Sequence, residues 1–323
     1  MEIFQRAADL PAKLRGGILS IGKFDGLHLG HAKVASAAVA AARERRVPAI
    51  LFTFSPPPVA ILKPELATAP LVDPQTKRAL VANAGFDAMI EFPTTREFLN
   101  LTAEDFFADI VVGQIGAVGL VEGSNFSFGR NREGSGERLR ELAESFGLAL
   151  EIVAPAQAAG AVASSSAIRR ALGDGNVLGA AALLGRRYGV SGRIGHGDAR
   201  GRTLEYTDER GVTTVCRTAN LSEIEVFLPQ DAVYAAIAKL PSGHRYAAGV
   251  NLGPNPSFND AKWKFEAHIL DFDGDLYDSR LDIEFCEKLR DVKKFASKED
   301  LMTQIALDLK NTRRIAEAAM SES

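Results

Sequence analysis

Between residues 16 and 153 short apolar runs and longer helical patterns take turns, and this alternation limits the possible folds more than any other feature. The runs are GGILSIG (16–22), AILFTF (49–54), AMIEF (88–92), AVGLV (117–121) and LALEIV (148–153). Each is too short for a stable helix and fits a buried strand. Between them lie segments 30–46, 73–84, 102–115 and 134–146, each long enough for three helical turns. Thr102 with Asp105, ahead of Phe106, Ile110 and Val111, is a capping box followed by an apolar stripe. Strand and helix in alternation predict a parallel, doubly wound, Rossmann-like α/β sheet. Such sheets bind ligands beyond the carboxyl ends of their strands, so the segment after the first strand is where chemistry is expected.

Beyond about residue 185 the pattern changes to β-branched and aromatic runs separated by Gly, Asp and Pro: YGVSGRI, EIEVFL, AVYAAIA, RYAAGVNLG, WKFEAHILDF and RLDIEF. This predicts a small antiparallel β-barrel, closed by a C-terminal helix whose capping box is Ser297 with Asp300, before Leu301, Ile305 and Leu309. A chain of 323 residues is long for one core, so two domains are expected, 1–184 and 185–323, with a helical joint near 173–187. Acidic DFDGDLYDSRLD (271–282) spaces its acids like a calcium loop, but its glycine stands fourth rather than sixth and it ends in Asp, so it reads as a hairpin turn.

The net charge is −3 and both halves are near balance, which argues against a nucleic-acid partner or a membrane surface. Cys216 and Cys286 are the only cysteines, too few and too far apart for a disulfide framework or a zinc knuckle, and they fit a reducing cytoplasm. The N-terminal residues lack the apolar core of a signal peptide, and the longest uncharged stretch, 152–168, is interrupted by Pro155 and reads as no membrane span. Self-association is not readable from these residues.

GKFDGLHLGH (22–31) follows the first strand and opens the first helix. His28 and His31 fall on one helical face near exposed backbone N–H groups, where a polyphosphate is stabilised. Two imidazoles there can bond phosphate oxygens and offset charge as phosphorus becomes five-coordinate, which is equipment for nucleotidyl transfer. The bland alternative is an Asp-Gly turn followed by surface histidines. Metal binding by this pair lacks a third ligand nearby. Three more segments are expected at the same end of the sheet: LFTFSPPP (51–58), EGSNFSFGRNREGSG (122–136) and SSSAIRRAL (164–172). Asn125 and the hydroxyls of Ser164 to Ser166 could bond base, ribose or phosphate, and Arg169 could clamp a phosphate. Taken singly, such serines are as readily helix caps.

In order, GKFDGLHLGH, TFSPPP, NFSFGRNREG and SSSAIR resemble the adenylyltransferase half of the bacterial bifunctional riboflavin kinase/FMN adenylyltransferase (FAD synthetase) family. The likeness continues through GRT, RTANL, VYA, GVNLGPNPSF, FEAHILDFDGDLY, LDIEF, LRDVKKF and QIALDLK, nearly the whole chain. It implies a nucleotidyltransferase domain joined to a riboflavin kinase barrel, turning riboflavin into FMN and FMN into FAD with ATP and Mg²⁺ or another divalent metal. The resemblance puts His28 and His31 at the phosphates, with Gly22, Phe24, Gly26, Gly30, Asn125, Ser164, Ser165 and Arg169 among the ATP- and phosphate-binding residues. In the barrel it makes Thr218 and Asn220 metal ligands and Glu266 the base. Without the resemblance Glu266 reads as a solvent-facing residue of an alternating strand.

The sequence departs from the family pattern at four places. Lys23 replaces a small or amide residue, Pro57 replaces the histidine of a P-H-P turn, Arg217 replaces the proline of PTAN, and about ten extra residues lie within EYTDERGVTTVC (205–216). The last two predict a looser turn before Thr218 and a vulnerable kinase. One alternative is therefore an FMN adenylyltransferase whose barrel binds flavin with weak or no kinase activity. A flavin-binding protein with both sites decayed is another, which the intact histidine pair opposes.

Overall fold

A computed structural model describes residues 1–195, 205–207, 211, 213–255 and 260–322, so the GRT motif at 201–203 and the PSF of the 249–258 motif lie outside the described residues. The chain divides into two compact units, Met1–Ser165 and Ser166–Ser323.

The first unit is built on a parallel sheet of six strands: β1 (Glu2–Phe4), β2 (Ile18–Ile21), β3 (Ala49–Ser55), β4 (Ala88–Pro93), β5 (Gly119–Gly123) and β6 (Ala149–Val153). Their order is β1-β4-β3-β2-β5-β6. All five expected strands form. Only β1 went unread, because three residues carry no legible period; it pairs with β4 at the edge. The inner strands are apolar on both faces, as parallel strands between two helical layers must be. Ile18, Leu51, Met89 and Val121 face α1 (Leu29–Arg45), which offers Val34, Ala35, Ala38 and Ala42. Leu19, Ile21, Phe52 and Ile90 face the opposite way, onto Phe106, Phe107 and Val111.

Helix α2 spans Pro74–Asn83. The helical segment expected at 102–115 starts as read, with the Asp105 N–H donating to Thr102 Oγ1 at 3.0 Å. It is α-helical only over α3 (Ala103–Asp105), then widens into a π-helix over Phe106–Gln114. The Ile115 N–H accordingly reaches the Ile110 carbonyl, five residues back. α4 spans Glu137–Ser145. The chain runs outward from β2 through β3 to β4, then returns to place β5 on the other side of β2. That reversal puts the topological switch point at the carboxyl end of β2, where residues 22–31 begin.

α5 (Ser165–Gly173) and α6 (Val177–Leu184) lead into the second unit, a closed six-stranded antiparallel barrel. Its strands are β7 (Gly189–Gly195), β8 (Ala219–Ser222), β9 (Ala232–Lys239), β10 (Arg245–Asn255), β11 (Asp260–Ile269) and β12 (Arg280–Asp291), in the order β7-β8-β11-β10-β9-β12. Tyr234, Phe265 and Phe285 fill the interior. α7 (Lys298–Ser321) starts at the expected cap, the Asp300 N–H donating to Ser297 Oγ at 3.0 Å, and packs Leu309 and Ala316 on the outer face of β9 and β10. A Cβ on Gly249 would stand 2.9 Å from Leu309 Cδ2, so the bare backbone there lets the helix close on the barrel.

Two expectations are corrected. EIEVFL (223–228) is not a strand: Glu223 takes a left-handed φ of 55° directly after β8 and turns the chain out of the ladder, so an alternating pattern is spent on irregular packing around buried Val226. The acidic segment 271–282 is not a hairpin turn either, because β11 and β12 are not neighbours; barrel closure places β12 between β9 and β7.

Candidate functional site

The segment after β2 is a tight turn in which Phe24 (φ 45°), Gly26 (φ 78°) and Leu27 (φ 40°) all adopt left-handed backbone. Two non-glycine residues held there store strain of about 1–3 kcal/mol each, a pattern that concentrates at functional turns. The turn is tied down by its own neighbours. The Leu71 N–H donates to Asp25 Oδ1 at 2.8 Å, and Ser165 Oγ donates to the Asp25 carbonyl at 3.0 Å.

His28 is the N-cap of α1: its Nδ1 accepts the His31 N–H at 3.3 Å. The two imidazoles stack with centroids 3.8 Å apart, and Phe24 stacks on the other side of His31 at 4.7 Å. Phe24 is itself buried and turned inward beneath His31. Gly30 is required beside this stack, since a Cβ there would press on the His28 ring at 3.0 Å and the Ala163 carbonyl at 3.1 Å. Burial, with the nearby charges of His28 and Lys77, holds His31 well below the ordinary histidine range, so it is uncharged at neutral pH. Its Nδ1 is buried with no hydrogen-bond partner among the described residues. Such an atom, at a helix N-terminus, is suited to an anionic ligand's oxygens.

Of the other expected residues, Asn125 lies exposed just past β5, its Oδ1 in the space left by the missing side chain of Gly123. Ser164 and Ser165 are half-buried, and Ser165 reaches the 22–31 turn as described. Arg169 belongs to the second unit, with its guanidinium 5.9 Å from the Phe227 ring.

In the barrel, Glu266 on β11 stands in register between Asn220 on β8 and Asn251 on β10. Directly opposite residues of an antiparallel pair hold their Cβ atoms about 4.5–5.5 Å apart, so the carboxylate is flanked by two amides. All three are on the outer face, because Phe265 and Ala267 on either side of Glu266 are buried in the interior. Thr218 is one residue ahead of β8.

The turn before Thr218 is not loosened by Arg217. The extra residues form a ribbon, Glu205–Thr207 paired with Thr213–Val215. The Arg217 N–H donates to the Val215 carbonyl at 2.8 Å, a bond that proline could not make. His268 Nδ1 meets the Arg217 carbonyl at 2.7 Å, and the Arg217 side chain pairs with Asp273. Three attachments thus replace one locked φ angle.

Residues 10–167 match the FAD synthetase family and residues 184–316 the riboflavin kinase family. A bifunctional riboflavin kinase/FMN adenylyltransferase of Escherichia coli (strain K12) is 32% identical over 298 residues, covering 92% of this chain and 92% of that protein. The protein of the same description from Pseudomonas fluorescens is 31% identical over 317 residues, 98% of each chain. The chain belongs to the bifunctional riboflavin kinase/FMN adenylyltransferase family. It phosphorylates riboflavin to FMN and adenylylates FMN to FAD, so both expected activities stand. A solved structure from Streptococcus pneumoniae, described as a macrolide-efflux protein, matches with a TM-score of 0.83 at 28% identity over 96% of this chain and 98% of that one. Efflux is said of that protein; in this family member no helix among the described residues is long and apolar enough to cross a membrane.

Sequence reasoning missed three residues of these sites. Asn251 lies inside the quoted GVNLG run, but only strand register shows that it flanks Glu266. His268 reads as one more residue of FEAHIL, and only its bond to the Arg217 carbonyl sets it apart. Lys77 on α2 donates from Nζ to Thr53 Oγ1 at 2.7 Å, and the Thr53 hydroxyl in turn reaches the Lys23 carbonyl at 3.3 Å. A lysine four residues before fully buried Val81 is out of place on an apolar stripe, and that was its available signal.

Proposed function

We propose that residues 1–184 carry out adenylyl transfer through the His28–His31 pair and that residues 185–323 carry out the kinase step through Glu266. The observation that carries the first assignment is the stacked histidine pair at the N-terminus of α1, at the switch point of the sheet. An FMN phosphate oxygen attacks the α-phosphorus of ATP, the bond to the β-phosphate oxygen breaks, and pyrophosphate leaves. Neutral His31 and its neighbour donate to the oxygens on which charge grows. Gly22, Gly26 and Gly30 allow the backbone to approach the nucleotide, while Asn125, Ser164 and Ser165 offer polar groups to ATP.

In the barrel, Glu266 accepts the proton of the riboflavin 5′-hydroxyl as its oxygen attacks the γ-phosphorus of ATP. Thr218 and Asn220 supply a hydroxyl and an amide oxygen, hard donors that fit Mg²⁺. No cluster of three or more His, Cys, Asp or Glu that could hold a metal exists among the described residues, which suits an ion bound mainly by phosphates, water and one or two side chains. When bound, such an ion offsets charge on the transferring phosphoryl group. Free, buried Cys216 and Cys286 support a cytoplasmic setting.

Incubation of the pure protein with riboflavin, ATP and Mg²⁺, followed by chromatography of the flavins, tests the reading. FMN and FAD together are expected. FMN alone would remove the first assignment, and FAD formed only from supplied FMN would remove the second.

A further inference from the structure

We propose that Lys77 is a further substrate-binding residue of the adenylyl-transfer site, a half-buried cation that meets the ATP polyphosphate beside His28 and His31. The inference rests on the reading of that site given above.

Helix α2 is otherwise ordered by burial. Val81 is fully buried and Leu80 and Ala84 pack against the same cluster, so position 77, one turn before Val81, belongs to the apolar stripe. Its neighbour Arg78 points outward and pairs with Glu91 at 2.9 Å. Lys77 instead turns its stem into the unit and ends at the carboxyl end of β3, where Nζ bonds the Thr53 hydroxyl. A neutral hydroxyl cannot compensate an ammonium charge. Asp25 and Glu91 act on Lys77 only from longer range, and Glu91 is already engaged by Arg78. A half-buried cation with no ion pair among the described residues is a poor device for stability alone.

The charges around Lys77 point the same way. The groups facing it are Asp25 in the 22–31 turn, Glu91 on β4, and His31 on α1, whose own charging Lys77 opposes. Burial lowers Lys77 to about 8. Both carboxylates that face Lys77 are engaged elsewhere: Asp25 Oδ1 accepts the Leu71 N–H, and Glu91 is bonded by Arg78. A polyphosphate oxygen would give the ammonium a direct anionic partner in place of the neutral Thr53 hydroxyl, which a neutral ligand would not. Thr53 holds one ammonium proton and leaves two for phosphate oxygens.

Three full-length proteins test this: the parent, Lys77→Met and Lys77→Arg. FAD formation from FMN and ATP is followed from pH 6.5 to 9.5, with riboflavin kinase activity and thermal midpoint recorded for each. Lys77→Met should lose about 10²-fold in adenylyl transfer, the scale of one preorganised donor to a charged transition state, while the kinase rate and midpoint hold. Lys77→Arg should recover a substantial part of the rate. It should also lack the alkaline fall in kcat/KM for ATP that the parent shows near pH 8, because a guanidinium keeps its charge there. A Lys77→Met rate within a few-fold of the parent overturns the inference. So does an unchanged alkaline fall in Lys77→Arg, which keeps the question open to decision even if the methionine variant folds poorly. A parent that makes no FAD from FMN would instead sink the site assignment on which the inference stands.

Discussion

His31 is bounded by His28 on one side, Phe24 on the other and Lys77 beyond, so its ring is fixed before any ligand arrives. That preorganisation is what makes a hydrogen-bond donor effective against developing charge. His31→Ala should therefore cut FAD formation by about 10²-fold or more and leave FMN formation intact, measured as the two rates on one preparation. His28→Ala removes a donor and the N-cap of α1 together, and the lost cap adds about 1 kcal/mol of instability. His28→Asn, which can cap, separates the two effects: activity stays low while the midpoint recovers. Glu122 gives a second residue-scale case. It is 2% exposed on β5, accepts the Ile21 N–H at 2.7 Å, and burial pushes its carboxyl well above the usual range. A raised carboxyl pKa means that the stability it contributes is complete below the unfolded value and is lost as pH rises toward the folded one. Glu122→Gln keeps the acceptor and cannot ionise. The variant should gain on the parent by up to about 1.4 kcal/mol per pH unit through that window, read from thermal midpoints at pH 5 and pH 8. Equal differences at both pH values would contradict a buried neutral acid.

At the scale of elements, the ribbon and the turn it feeds have to be considered together. Arg217→Pro alone removes the N–H that bonds Val215 and the side chain that pairs with Asp273, so in the full chain it should weaken the Thr218 turn by about 1 kcal/mol and lower FMN formation several-fold. Deleting about ten residues between Glu205 and Cys216 as well removes the partner that the N–H served. The combined variant should form FMN faster than Arg217→Pro alone; a slower rate would mean that the ribbon itself supports the kinase. Five of the six sheet strands of the first unit and its longer helices were legible because buried parallel strands read as unbroken apolar runs and each of those helices has a cap or stripe; three-residue β1 carries no such run. The barrel was legible as a class but not in detail. EIEVFL alternates like a strand, and only the left-handed backbone at Glu223 shows why it is not one. Likewise an Asp-rich turn says nothing about which strands it joins, since neighbours in a closed barrel are set by long-range register. The histidine pair was readable from its place after the first strand. Lys77, His268 and Asn251 act through partners 24 to 51 residues or more away in sequence, or through strand register, and no local pattern carries that.

For the whole molecule, the two chemistries are linked by FMN, the product of one and the substrate of the other. Each unit has its own interior: apolar layers on both faces of the parallel sheet in the first, and an aromatic-filled barrel backed by α7 in the second. The histidine pair lies within the first unit and the Asn220–Glu266–Asn251 row within the second. A substitution in one site should therefore leave the other unit folded and active. Glu266→Gln swaps a carboxylate for an amide of nearly the same shape between two existing amides, so it should abolish most FMN formation while flavin binding persists. Phosphoryl transfer depends on positioning and charge rather than on a covalent intermediate, which makes the lost proton acceptor the decisive change. His31→Ala blocks the later reaction instead. Alone, the first variant should make FAD only from supplied FMN, and the second should stop at FMN. Mixed in equal amounts with riboflavin, ATP and Mg²⁺, they should again yield FAD, after a lag in which free FMN builds up toward the level the histidine site needs. Chromatography of the flavins over time reads both the lag and the yield. FMN that accumulates in the mixture without any FAD would show that the histidine site accepts FMN only from the barrel of its own chain.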